Sequence, residues 1–594
     1  MNDLQDNIKN NSLRDSKNRE FRLRGGEKIL SLIKNFSATE KVIFSVFVLV
    51  ALISALTMAW KVNRQFLVPV ATYGGSFNEG IIGLPRSVNP VLAITDADKD
   101  LTELIYSGLM KYENGELVPD LAEKYSVSED GLTYTFDLRD DLKFQDGTPL
   151  TTDDVEYTIK QVQDSGLKSP RRVDWASVSV HIVSPKEIQF ILKQPYSPFL
   201  ANTTIGILPK HIWKNLDADQ FVFSQYNLSP IGSGPYMIDS IQKDKDGIPT
   251  SYSLKSFSKH LPQRAYISKI NIFFYANEEG ALDAYKSGVI DNFAGISPAQ
   301  AKILQKENAK ILNTPLPRIF GVFFNQNNAP VLANEEVREA LNLSVDRQRI
   351  INEVLDGYGV TIDSPIPKNA NQENSTSTSE VTFDKEKAKS ILAKAGWVIN
   401  SEGTLEKKTS TGAQVLEFSI VTTDSPDLKS AASIIKKDWE DIGAKVEVKI
   451  YEYGDLSQNV IKTRKYDSLL FGEIVGKDLD LYAFWHSSQR NYPGLNVSMY
   501  VNSKADKLLE QIRSTTNEGD REEIYSNLEK TVLDDVPAIF IYSPEYMYLV
   551  SNKIEGMNFN YITNPSDRFQ GIENWYIAKD YVWKVFASDE EVKN

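Results

Sequence analysis

From Val42 to Trp60 nineteen consecutive residues carry no charge, and Lys41, Lys61 and Arg64 bracket them. As a helix rising about 1.5 Å per residue, such a run covers roughly 28 Å, close to the ~30 Å hydrocarbon depth of a bilayer. The chain is therefore expected to divide between two sides of a membrane. Residues 1–41 hold nine Lys or Arg against six Asp or Glu. The positive-inside bias then keeps the N-terminus in the cytoplasm and exports the residues after about position 65. A cleaved signal peptide is the alternative, but the apolar run exceeds the ~7–15 residues of a typical h-region, and Thr57-Met58-Ala59 is a poor cleavage site. The expectation is a single-pass signal anchor at 42–60, a cytoplasmic tail at 1–41 whose first 25 residues look disordered, and a C-terminal domain outside the cytoplasmic membrane.

Charge separates the same two regions. Residues 1–64 carry 11 basic and 6 acidic side chains, leaving 55 and 74, net −19, for residues 65–594. So acidic a surface repels nucleic acid and anionic headgroups and excludes both as ligands of the exported part. The chain has no Cys, which removes disulfides, thiolate metal sites, cysteine nucleophiles and an N-terminal lipid anchor together.

The exported part interleaves helix and strand patterns. Around Asp130-Gly131 a turn dipeptide joins Tyr125 and Val127 to Leu132, Tyr134, Phe136 and Leu138, which are apolar at every second position, so a hairpin is expected. Thr151 with Asp154 three residues on predicts a capped helix with Val155, Thr158, Ile159 and Val162 on one face. Asp384 predicts another, with a stripe of Ala388, Ile391, Leu392 and Ala395 and a stop at Gly396. Lys368–Glu380 reads as a polar surface loop.

Tests for catalysis and cofactors mostly fail. The four His, at 181, 211, 260 and 486, lack the spacing of a helical metal pair. Asp96-Ala97-Asp98-Lys99-Asp100 opens like a calcium loop, yet Leu101 stands where Gly is needed and Ser107 where Glu is needed. Gly472–Lys477 is one residue short of a phosphate loop, and Gly232-Ser233-Gly234 lacks the spacing of a nucleophile elbow. No enzyme activity, metal or cofactor is expected.

Several segments, in order, resemble one family, the extracytoplasmic solute-binding proteins of peptide and nickel ABC transporters, family 5. They are Ser87–Pro90 followed by Leu104–Leu109, Pro119–Glu123, Asp130–Phe136, and the run from Leu138-Arg139 to Val155, which matches most closely. Pro230–Tyr236, Val337–Leu341 with Asp346-Arg347, Ala393–Trp397, Asp478–Asp480 leading into Phe484–Gln489, and Gly494–Asn496 continue the series. The resemblance covers about residues 70–545. It implies an α/β, bilobed, periplasmic-binding-protein-like (type II) fold with an enlarged, discontinuous first lobe. Residues 66–315 would form the first part of lobe one, 316–540 lobe two, and 541–594 the return to lobe one. The chain would cross outward near Leu316–Asn325 and back near Ala538–Tyr546, each a short strand-like run with Pro alongside.

The resemblance also implies a ligand clamped in the cleft by main-chain bonds, a form of strand addition. By position the clamping segments are Ile94-Thr95-Asp96 and Gly472-Glu473-Ile474. Peptide-binding relatives carry an Asp shortly after the Gly that matches Gly472, to pair with a peptide ammonium. Here Ile474-Val475-Gly476-Lys477 lacks it, so either Glu473 or Asp96 substitutes, or the ligand is not a free peptide. Tyr482, Trp485, His486 and Asn496 complete the candidate substrate-binding set, each with a structural alternative in packing, capping or turn formation. The implied function is a membrane-tethered receptor of an ABC importer, with an oligopeptide-like solute and permease subunits with their ATPases as partners. An oligosaccharide or chelated metal in the same fold, or a sensor signalling through a partner, are the alternatives.

Overall fold

The computed structural model describes residues 33, 35–367, 382–410, 412–476, 479–559 and 562–586. The expectations for the first 25 residues and for Lys368–Glu380 lie outside these. The chain divides into two units, residues 1–71 with 579–594 and residues 72–578.

In the first unit the helix Ala38–Phe66 contains the whole uncharged run and has no buried residue. Its N-terminus is closed by a capping box, with the Ser37 backbone N–H donating to Glu40 Oε2 at 2.8 Å. The chain leaves this helix directly into the strand Leu67–Ala71, which pairs antiparallel with Lys579–Trp583. The rings of Phe66 and Trp583 stack beside the junction.

The second unit is built around one 12-stranded mixed sheet. The strand Ala538–Leu549 runs through its middle. Its first part pairs with Arg318–Phe324, with Phe323 opposite Ala538, and its last part pairs with Ile311–Pro315, with Ile311 opposite Leu549. Beyond Arg318–Phe324 the sheet continues through Ser468–Ile474, Glu417–Thr423 and Lys445–Tyr451. On the other side it continues through Asn292–Ala294, Ser76–Ile82, Lys269–Tyr275, Pro249–Ser256 and Tyr236–Lys243.

Four apolar clusters cover this sheet, and the sequence divides among them at the middle strand. Two clusters draw on residues between Ile319 and Tyr542. The other two draw on residues up to Leu316 and from Tyr546 onward.

Local patterns form as expected. Thr133–Leu138 pairs with Ala122–Val127 across the Asp130-Gly131 turn, where Gly131 adopts φ +67°, and Tyr134, Phe136 and Leu138 are buried. The helix Thr152–Gln163 buries Val155, Thr158, Ile159 and Val162, and Asp154 accepts from the Thr151 backbone N–H at 2.9 Å. Asp384 caps Lys385–Lys394, accepting from the Lys387 N–H at 2.8 Å. The acidic run that opens like a calcium loop serves structure instead. Asp98 accepts backbone N–H groups of Arg86 and Ser87 at 2.6 and 2.7 Å, and Asp100 reaches an arginine from the far end of the chain.

That arginine, Arg568, is fully buried. Its guanidinium makes two parallel bonds to Asp100, at 2.8 and 2.7 Å, and a third to Glu79 at 3.1 Å. The Tyr548 hydroxyl donates to the other Glu79 oxygen at 2.7 Å. Burial pushes both carboxyls up and Arg568 opposes the shift. One side chain thus joins the strand Ser76–Ile82, the helix Asp96–Ile105 and the middle strand. Removing one partner of a buried ion pair leaves uncompensated charge at a cost of about 3–5 kcal/mol. Arg568→Met is expected to destabilise the protein by that amount in urea unfolding at pH 7, and a loss below ~1 kcal/mol would show the network to be dispensable.

Candidate ligand-binding site

Close in sequence to the predicted site residues, two features of the second unit can hold a ligand: an open strand edge and a cavity. The edge belongs to Ser468–Ile474. Its pairing with Glu417–Thr423 ends at Val421 opposite Leu469, whereas its pairing with Arg318–Phe324 runs on to Arg318 opposite Ile474. Strand alternation fixes which groups point to the unpaired side. The Val475 N–H donates to Pro317 O at 2.9 Å, toward the paired side. Leu470 O, one step out of phase, accepts from the Thr422 hydroxyl at 2.9 Å on the other side. The backbone groups of Gly472 and Ile474, in phase with Leu470, therefore face an edge that has no strand among the described residues. Gly472 has a further reason to be glycine, since a Cβ there would lie 2.8 Å from the Phe320 ring.

The cavity encloses about 540 Å³, within the range of small-ligand pockets. Nearly all of its wall comes from residues before 264 and after 562, and Gly476 closes it from the other half of the chain. Its charged lining is Lys99, Lys111 and Arg171 against Glu103, Asp120, Asp174, Asp567 and Glu573. Lys111 is ion-paired with Glu573, and Arg171 lies 3.4 Å from Asp174. Burial pushes the Asp120 carboxyl up, and His260, Lys111 and the Ser107 hydroxyl oppose the shift. The Asp120 backbone is fixed by Arg139, whose Nε donates to its carbonyl at 2.7 Å.

The two halves touch beside this cavity. Arg513 forks onto Asp480, with Nη2 to Oδ2 at 2.6 Å, and lies 3.8 Å over the Tyr482 ring. Tyr196 Oη donates to the same Asp480 at 3.3 Å, and the Ser197 N–H donates to Arg513 O at 2.8 Å.

None of the ten predicted site residues lines the cavity itself, although Ala93 and Gly476, close by in sequence, do. Ile94 and Ile474 are exposed, at 68% and 56%. Thr95 caps the helix Asp96–Ile105, accepting from the Asp98 N–H at 3.1 Å, and Asp96 is exposed at its first turn. Burial lowers the pKa of Arg318, which pairs opposite Ile474, and the Asp96 charge opposes that shift.

Trp485 and Asn496, expected at the ligand, are interior residues. Trp485 packs against Phe323, Tyr500 and Phe540. Asn496 donates to His486 O and Tyr500 O and accepts from the Tyr500 N–H at 3.0 Å, so its amide holds its own loop. His486 caps the turn at Ser487–Gln489, accepting from the Ser488 N–H at 3.1 Å, and stacks on Tyr482 with ring centroids 4.1 Å apart. The alternatives in packing, turn formation and capping account for these three.

Glu473 differs from its expectation as an ammonium partner. It lies opposite the fully buried Ile319, it is itself buried, and its Oε2 has no partner among the described residues. Burial pushes its carboxyl well above the usual carboxylate range. A group held neutral pairs poorly with an ammonium, which argues against Glu473 in that role, whereas Asp96 is exposed.

Residues 116–496 match the model of the bacterial extracellular solute-binding proteins, family 5 (middle). The chain belongs to that family. It is 27% identical over 517 residues to the oligopeptide-binding protein AppA of Bacillus subtilis (strain 168), covering 85% of this chain and 92% of that one. The solved structure of B. subtilis AppA in complex with a nonapeptide aligns with TM-score 0.63 at 26% identity, over 86% of this chain and 100% of that one. That of NikZ from Campylobacter jejuni in complex with Ni(L-His) aligns with TM-score 0.65 at 26% identity, over 84% and 99%. The fold is the bilobed, mixed α/β architecture of periplasmic binding proteins.

Sequence reasoning overlooked Tyr106, Asp120 and Thr563, which border the cavity. The first two lie inside matched segments, where nothing local separates a cavity residue from a core residue. Thr563 joins them only through the fold.

A carboxyl raised on folding takes up a proton as the chain folds near neutral pH, so its contribution to stability falls as pH rises above the ordinary carboxylate range. Glu473→Leu is expected to stabilise the protein near pH 8 by about 1–3 kcal/mol, the cost of an unpartnered buried polar group. The gain should shrink near pH 4, where the carboxyl is protonated in both states. Denaturant melts at both pH values read this difference, and an equal effect at both would show that Glu473 is not held neutral.

Proposed function

We propose that this chain is a membrane-tethered receptor of an ABC importer that captures an oligopeptide-like solute between two lobes and presents it to permease subunits. The observation that carries the reading is the unpaired edge of Ser468–Ile474, where Gly472 and Ile474 present backbone donors and acceptors beside the cavity residue Gly476. An extended peptide backbone is the ligand that completes such an edge, and main-chain bonds bind it without reading its sequence. The oligopeptide named for the AppA relative supports the same class. Ile94–Asp96 would supply the opposing contact, with exposed Asp96 taking the peptide ammonium.

In this reading lobe one comprises 66–315 and 541–594 and lobe two 316–540, and the hinge lies where Leu316 and Pro317 run beside Ser543 and Pro544. The Leu316 N–H donates to Pro544 O at 3.0 Å, and the Ser543 hydroxyl donates to Leu316 O. Proline at each crossing limits the backbone there to few conformations. Shifting such a pair of lobes from mostly open to mostly shut takes about 5.5 kcal/mol of preferential binding to the shut form. A solute touching both lobes can supply it. The Tyr196–Asp480–Arg513 contact would close with the cleft. The helix Ala38–Phe66 would hold the receptor at the outer face of the cytoplasmic membrane, its apolar window reaching a mean hydropathy of 2.7.

Two measurements test this on the full chain in detergent micelles. Ile474→Pro removes an edge N–H that the pairing with Arg318–Phe324 does not use. It is expected to weaken binding of a mixed-sequence pentapeptide pool at least tenfold in calorimetry while leaving the melting temperature within about 2 °C. X-ray scattering with saturating peptide should show a smaller radius of gyration. Unchanged affinity would remove the strand-addition clamp, and identical scattering with every peptide tried would remove cleft closure.

A further inference from the structure

We propose that the cavity beside Gly476 binds a cationic side chain of the captured solute, an ammonium or guanidinium, with Asp120 as its carboxylate partner and the hydroxyls of Tyr106 and Thr563 as flanking acceptors. The proposal rests on the peptide reading above and names the solute class that reading leaves open.

Three oxygen atoms point to it. Tyr106 Oη, Asp120 Oδ1 and Thr563 Oγ1 have no hydrogen-bond partner among the described residues, and their residues are only 5%, 4% and 5% exposed. All three residues border the same cavity. Buried polar atoms are almost always bonded, and each one left unpartnered costs about 1–3 kcal/mol. These three oxygens share one space with a fourth unpartnered atom, Arg171 Nε, which has Asp174 Oδ2 3.4 Å away, so the oxygens are the atoms left for a ligand to satisfy.

The surrounding charge selects the kind of ligand. Five carboxylates face three basic side chains in the lining. Lys111 is held by Glu573, and Arg171 sits by Asp174, so neither makes an ion pair with Asp120. His260 is engaged through Nδ1 with Ser233 O at 3.0 Å. Asp120 Oδ1 keeps no hydrogen-bond partner among the described residues. Burial raises the Asp120 carboxyl, but unlike Glu473 it has His260, Lys111 and the Ser107 hydroxyl favouring its ionised form, and an entering cation adds to them. Burial holds the Tyr106 phenol in its protonated form, so it accepts without carrying charge. An ammonium has three N–H donors and a guanidinium five, and neither needs an acceptor in return. A carboxylate or phosphate would meet the acidic excess.

The test uses the full chain in detergent micelles and two pentapeptide libraries that differ at one position, Lys in one and norleucine in the other, with retained peptide counted by native mass spectrometry. The wild type is expected to retain the Lys library at least tenfold better. Asp120→Asn should abolish that preference, with a melting temperature within about 2 °C of the wild type showing that the variant is folded. Tyr106→Phe, which removes one oxygen, should reduce the preference about threefold or more at an unchanged melting temperature. Equal retention of the two libraries by the wild type, or a Lys preference that survives Asp120→Asn, overturns the cationic site and leaves the peptide reading standing. Failure of the wild type to retain either library overturns both.

Discussion

A single strand, Ala538–Leu549, is the element on which the rest of the second unit depends. Its side chains enter all four apolar clusters. Ala538 and Phe540 go to one, Ile539, Ile541 and Tyr542 to a second, Tyr546 and Tyr548 to a third, and Met547 and Leu549 to the fourth. The alternation of a pleated strand makes this possible, because successive residues face opposite sides of the sheet. Ser543 and Pro544 interrupt the run where the pairing partner changes from Arg318–Phe324 to Ile311–Pro315. The strand is therefore continuous in hydrogen bonding but divided in what its side chains bury, and that division separates two bodies that share one sheet.

The ligand features follow from where that sheet stops pairing. Ser468–Ile474 extends past its neighbour Glu417–Thr423, so the end nearest the cavity carries an unpaired edge. Opposite it, the Arg568 network fixes the helix Asp96–Ile105, and with it Ile94 and Thr95, against the strand Ser76–Ile82. The buried arginine thus acts at a distance on the proposed site, by holding one jaw of it in place.

Much of the fold was legible in the chain because local rules acted alone. The hairpin at Asp130-Gly131 and the capped helices at Thr151 and Asp384 depend on residues within a few positions of one another, and the structure reproduces their buried faces. The site was less legible. Trp485, His486 and Asn496 have the chemistry of ligand contacts, but packing, a turn cap and a loop amide bond engage them first. Glu473 reads as a charge in the sequence, yet its strand register turns it toward Ile319 and an apolar cluster, where a proton is favoured over a charge.

The sequence by itself determined the membrane-length apolar run, the acidic exported part, the hairpin and helices, and the family, because each is written in contiguous residues. Only the tertiary structure decided which carboxylates are paired, which are neutral and which remain available. Arg568 lies 468 positions from Asp100, and Lys111 lies 462 from Glu573. Asp120 and Thr563 share a cavity wall on the same scale of separation. Charge state inside a protein depends on burial and on the nearest opposite charge, and both are set by contacts between segments that only folding brings together.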